Sequence, residues 1–169
     1  MDQTERNRNL AGAKLAVNYV QSKMDIGASN KPGTGMVARL FCAGGTFSDG
    51  AVRVHVKADM ISSNDRSWKN YLALSADWSK HFGCGNCGEQ SALAFSYLRE
   101  HGFHPLDWMQ IGNFKHAFVI IGRKSDSDPS DYNTWGDEAS VCDPWAGRAE
   151  PRIYIGVWNW KPVLLYREE

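Results

Sequence analysis

The chain has 169 residues, 43% hydrophobic and 22% charged, with 19 Lys and Arg offsetting 19 Asp and Glu. That length and apolar content describe one domain with a buried core and exclude both a disordered chain and a large multidomain machine. Formal neutrality gives no basic stripe for nucleic acid and no polybasic membrane patch, and no apolar run approaches the roughly 18 residues that a bilayer-crossing helix needs.

Residues 8–24 place Leu10, Ala13, Leu15, Val17, Val20 and Met24 at loosely helical spacing among polar neighbours, predicting an amphipathic N-terminal helix or arm. The following stretch to Gly35 is rich in Gly, Ser, Asn and Pro and reads as a loop, so residues 1–35 are set apart from a single domain at 36–169. The polar start lacks the charged, apolar and small-residue tripartite pattern of a secretory signal, so synthesis in the cytoplasm is expected. Residues 37–42 read as a strand followed by a glycine-rich turn. Val52, Val54 and Val56 then alternate with Arg53, His55 and Lys57, predicting a half-buried strand with a solvated face. Trp68, Tyr71, Leu72, Leu74 and Trp78 predict a helix that ends in the glycine-broken turn at 82–88. A second helix is expected from Cys87 to about His101, burying Leu93, Ala94, Tyr97 and Leu98 and stopping at Gly102. Strands are expected at 106–111, 117–121, 139–142, 153–160 and 163–166, with the acidic segment 123–138 as a solvated hairpin loop. Helices followed by an antiparallel meander give an α+β class.

Four cysteines, Cys42, Cys84, Cys87 and Cys142, are too few for a disulfide scaffold and read as thiols. The chemistry concentrates around Cys87. Asn86 is a good N-cap, and Glu89 three residues on completes a capping box, which places Cys87 in the first helical turn. There the unpaired N–H groups and the positive end of the helix dipole favour a thiolate. Gly85 and Gly88 remove side-chain bulk on either side, so a substrate amide can approach. A nucleophile also needs a base and a group that holds the base. His116 opens the apolar run His-Ala-Phe-Val-Ile-Ile, and Asp143 follows Val141-Cys142 and precedes Pro144-Trp145. If those two strands are antiparallel neighbours, His116 and Asp143 lie side by side at their ends, with the helix of Cys87 docked against them.

Residues 85–147, with Gly-Asn-Cys-Gly-Glu-Gln, Lys-His-Ala-Phe-Val-Ile-Ile-Gly and Val-Cys-Asp-Pro-Trp-Ala-Gly in that order, resemble the papain-like and transglutaminase-like cysteine superfamily. They are most similar to the protein-glutamine deamidase domains of bacterial toxins and secreted effectors. The resemblance implies N-terminal helices packed on an antiparallel sheet, with Cys87 as nucleophile, His116 as base and Asp143 as orienting acid. It implies no metal or cofactor, and a protein substrate from a target cell that presents a glutamine. It further implies export by a specialised secretion system, action in the target-cell cytoplasm and a cognate inhibitor. The oxyanion would be held by the Cys87 backbone N–H and a second donor. The glutamine that papain-like enzymes carry shortly before the nucleophile is missing from positions 78–83, leaving His81 or Ser79 for that role. Asn86, Gly88, Lys115 and Trp145 are the further candidate substrate contacts. A protease or a transglutaminase with the same triad is the nearest alternative. From other classes come a redox protein using the Cys84-x-x-Cys87 pair and a zinc- or partner-binding module using Cys84, Cys87, His116 and Cys142; within the enzyme reading, a reversible Cys84–Cys87 disulfide would silence the nucleophile.

Overall fold

A computed structural model describes residues 3–26, 28, 51–112, 116–152 and 161–169. Its helices are α1 (Gln3–Lys23), α2 (Ala51–Ser63), α3 (Trp68–Phe82) and α4 (Cys87–Glu100). Their ends follow from local chemistry. The Ser67 hydroxyl accepts the Asn70 N–H at 3.1 Å to open α3. Gly83 adopts the left-handed conformation at φ 64° to close it, its N–H bonding back to the Ser79 carbonyl.

The segment expected as a strand at 52–57 is instead the first half of α2. Val52 and Val56 are buried while Val54 between them is 53% exposed. A spacing of four, not two, therefore selects the buried face, and the run of valines imitates a strand only because all three are apolar. That face packs on α3 with Met60, Leu74 and Trp78, and His55 lies against the Trp78 ring at 4.2 Å.

The strands are β1 (Leu106–Ile111), β2 (His116–Ile121), β3 (Ser140–Asp143), β4 (Arg148–Pro151) and β5 (Pro162–Glu168). They form one sheet in the order β4-β3-β2-β1-β5, each pairing antiparallel. The molecule is thus α+β. β4, with the sequence Arg-Ala-Glu-Pro, has no apolar period and exists because a four-residue turn folds it back on β3. The strands expected at 37–42 and 153–160 lie outside the described residues.

One sheet face carries Leu106, Trp108, Val119, Ile121 and Cys142 against α1 and α4. The first helix belongs to this core and is no arm beside it: Ala13, Ala16 and Val20 are fully buried, whereas Leu15 is 54% exposed. Small side chains let the helix sit close. A methyl group on Gly12 would come within 2.4 Å of the Phe103 ring. Phe95 and Leu98 of α4 are completely enclosed here, and truncating either to alanine costs about 2–5 kcal/mol. The other face buries Met109, Phe118, Ile120 and Val141 with Trp135.

Candidate active site

Cys87 is the first residue of α4, and the turn before it is held from several sides. Glu89 Oε2 accepts the Asn86 N–H at 2.9 Å within the capping box. The buried Gln90 side chain donates from Nε2 to the Gly85 carbonyl at 2.9 Å. Gly85 is required for packing and not for substrate access, because a Cβ there would meet Glu89 Cβ at 2.5 Å. A Cβ at Gly88 would have no atom within 4 Å, so this side of the turn is open. Arg53 of α2 donates from Nε to Glu89 Oε1 at 2.8 Å, tying the second helix to the helix that carries Cys87.

His116 and Asp143 meet at the ends of β2 and β3. His116 Nε2 lies 2.6 Å from Asp143 Oδ2, and Asp143, 1% exposed, also accepts the Ala146 N–H at 3.0 Å through Oδ1. Burial alone would lower the imidazole pKa. The hydrogen bonds to Asp143 and to the Cys87 side chain, followed by the negative charges of both, override it and raise the value to about 9. With Nε2 turned to the carboxylate, Nδ1 is the nitrogen available to the thiol. The Trp145 ring stands edge-on to the imidazole at 5.4 Å and fixes its tilt. Cys87, His116 and Asp143, distant in sequence, are therefore one hydrogen-bonded chain.

The chain opens into a cleft of about 530 Å³. Trp68, Tyr71 and Trp108 wall one side, with Tyr71 stacked on Trp108 at 5.9 Å. Gln110 of β1 also lines the cleft; it is 7% exposed, and its side chain makes no hydrogen bond among the described residues. Trp108, by contrast, already donates its Nε1–H to Ser91 Oγ at 2.8 Å. Neither side chain expected as the second oxyanion donor reaches the cleft. Ser79 is fully buried and donates to the Ser75 carbonyl, because it lies on the inner face of α3. His81 sits exposed in the last turn of α3 against Trp78 and Phe82. Lys115 lies outside the described residues. Sequence reading missed Arg53 and Gln110: Arg53 sat on the misread strand, and nothing in a strand's pattern marks one buried glutamine as facing a cleft.

The three described cysteines are of three kinds. Cys84 is disulfide-bonded, contrary to the expectation of free thiols, and its partner lies outside the described residues. Cys87 and Cys142 are free, so the silencing Cys84–Cys87 bridge is not formed. Cys142 is fully buried against the Ala13 carbonyl, and burial raises its pKa far above the ordinary thiol value. The proposed zinc set of Cys84, Cys87, His116 and Cys142 is therefore not assembled, and among the described residues no three His, Cys, Asp or Glu side chains gather as a metal site. No described helix is long and apolar enough to cross a membrane. In comparisons with known proteins, no family model matches the chain and no curated protein matches it.

Proposed function

We propose that the protein is a cysteine-dependent amidohydrolase that deamidates glutamine side chains of a protein substrate. The observation that carries this reading is the His116 imidazole, held by Asp143 at 2.6 Å and hydrogen-bonded to the Cys87 thiol at the floor of an open cleft. A helix-borne cysteine facing the ends of two antiparallel strands also supports a papain-like or transglutaminase-like architecture.

In the proposed reaction Cys87 Sγ attacks the carboxamide carbon, and the carbonyl electrons move onto oxygen. The first-turn N–H groups of α4, which a helix leaves without intrahelical acceptors, and Gln110 Nε2 hold that oxyanion. As the tetrahedral centre collapses, His116 gives its Nδ1 proton to the departing nitrogen, releasing ammonia and leaving a thioester. Water then attacks the thioester while His116 takes a proton from it, and the products are a glutamate side chain and Cys87. Asp143 steadies the imidazolium at both stages.

The substrate we envisage is a target-cell protein, reached after export, with a cognate inhibitor protecting the producer. The disulfide at Cys84 supports passage through an oxidising compartment. Intact-mass spectrometry of glutamine-bearing proteins treated with the enzyme tests the chemistry. A gain of about one dalton, absent with Cys87→Ala, is expected. Fragments would mean proteolysis and a crosslink transglutamination, either of which overturns deamidation.

A further inference from the structure

The turn that presents Cys87 is held at both ends by α2. At its start Cys84, fully enclosed, packs in one apolar cluster with Val52 and Val56 of that helix. At its far end Glu89 divides its carboxylate: Oε1 accepts from Arg53 Nε at 2.8 Å, and Oε2 accepts the Asn86 N–H at 2.9 Å. Arg53 adjoins Val52, so the apolar packing and the ion pair belong to one segment of α2. The Glu89 side chain is 4% exposed and that of Arg53 47%. An enclosed carboxylate stays charged and in place at least cost beside a cation, which Arg53 supplies. Gly85 lies so near Glu89 that a methyl group on it would come within 2.5 Å of Glu89 Cβ. In such close packing a displaced Glu89 shifts the backbone on both sides of Cys87.

We infer that Arg53 is a positioning residue for the chemistry at Cys87. Acting through Glu89, it holds the turn so that the Cys87 thiol keeps its hydrogen bond to His116 and the first-turn N–H groups of α4 keep their direction. That Cys87 attacks a carboxamide rests on the amidohydrolase reading; the hold on the turn rests on the hydrogen bonds and packing of α2. The consequence is kinetic, because reacting groups must be closely aligned and a misplacement of about 1 Å can cost roughly 10²-fold in rate. Binding of a substrate does not need that alignment, so the cost falls on kcat and not on KM. Arg53 also lines the cleft and has further contacts of its own, so the effect that passes through Glu89 has to be isolated.

The test is a double-mutant cycle on the full-length chain, Arg53→Ala and Glu89→Gln singly and together. Glu89→Gln keeps an oxygen for the Asn86 N–H and removes the charge that pairs with Arg53. The first readout is the rate at which iodoacetamide alkylates Cys87 in the folded protein, followed by peptide mass; the second is ammonia released from casein, resolved into kcat and KM. Arg53→Ala is expected to slow alkylation about tenfold and to lower kcat about 10–100-fold with KM nearly constant, each per folded molecule. In the Glu89→Gln background the same change is expected to alter neither rate. Arg53→Lys, which returns a cation to the contact with Glu89, is expected to recover most of both. Arg53→Met, keeping the apolar stem, takes the place of Arg53→Ala if that variant does not fold. Unchanged alkylation in Arg53→Ala, equal slowing with and without Glu89→Gln, or a raised KM as the sole effect would each overturn the inference. Casein deamidated at equal kcat by the wild-type chain and Arg53→Ala sinks only the positioning role. Alkylation that follows the expected pattern while no glutamine-bearing protein gains mass sinks only the amidohydrolase.

Discussion

Two ends of one sheet face hold a buried aspartate beside a basic side chain, and they behave oppositely. At one end, Asp107 of β1 is 1% exposed and pairs with Arg123 through Oδ2 and with Arg167 Nη1 at 2.9 and 3.1 Å. The guanidinium groups are filled from their other sides. Arg123 Nη1 donates to the Ser127 carbonyl at 2.9 Å and its hydroxyl at 2.7 Å, and Arg167 Nη2 donates to the Arg123 carbonyl at 3.1 Å. Arginine keeps its proton, so this cluster is a closed tie. At the other end, Asp143 holds a histidine, a base that can exchange a proton, and the remaining ring nitrogen meets a thiol in an open cleft. The contrast teaches what suits a buried carboxylate to the proposed chemistry: a partner that titrates and has one position left for a substrate.

Asp143→Asn strikes this contrast hardest. The imidazole loses the carboxylate that orients it, and kcat is expected to fall by roughly 10²–10⁴-fold. The pH profile carries the sign. His116 is raised from 6.5 to about 9, so in the proposed reaction the imidazolium that protonates the departing nitrogen persists through neutral pH, and activity is expected to decline as pH climbs through about 9. In Asp143→Asn that alkaline limb moves to lower pH; a limb that stays in place means another group sets it. The same raised value stabilises the fold most fully below the unfolded-state pKa, and that contribution disappears as pH rises to about 9. Asp107→Ala acts on the other end. Leaving two arginines without their carboxylate is expected to lower the unfolding free energy by about 3–5 kcal/mol in a urea titration, while kcat per folded molecule is unchanged. A loss of kcat with intact stability would erase the distinction between the ends. Gln110→Ala is the gentlest: kcat down about 10²-fold with KM nearly constant, the signature of a donor used in the transition state. A rise in KM alone would make Gln110 a substrate-binding group.

Much of the site was legible because its signals are local. Asn86, Glu89 and Gly102 mark where α4 starts and stops, and Cys87 falls in its first turn whatever surrounds it. After His116, β2 is a continuous apolar run, and its antiparallel pairing with β3 brings His116 near Asp143. What was not legible depends on partners far along the chain. α2 reads as a strand until α3 supplies the surface that buries Val52 and Val56 together. β4 has no apolar period and owes its existence to β3.

The bond at Cys84 bears on survival of the Cys87 thiol itself. In air, an exposed sulfhydryl is commonly lost to whichever sulfur can reach it. Three residues upstream that neighbour is already tied up, and Cys142 is sealed beneath α1. The protein thus leaves its one accessible described thiol no accessible free thiol among the described residues with which to form a new bridge, and small diffusible oxidants become the agents against which its shelf life is decided.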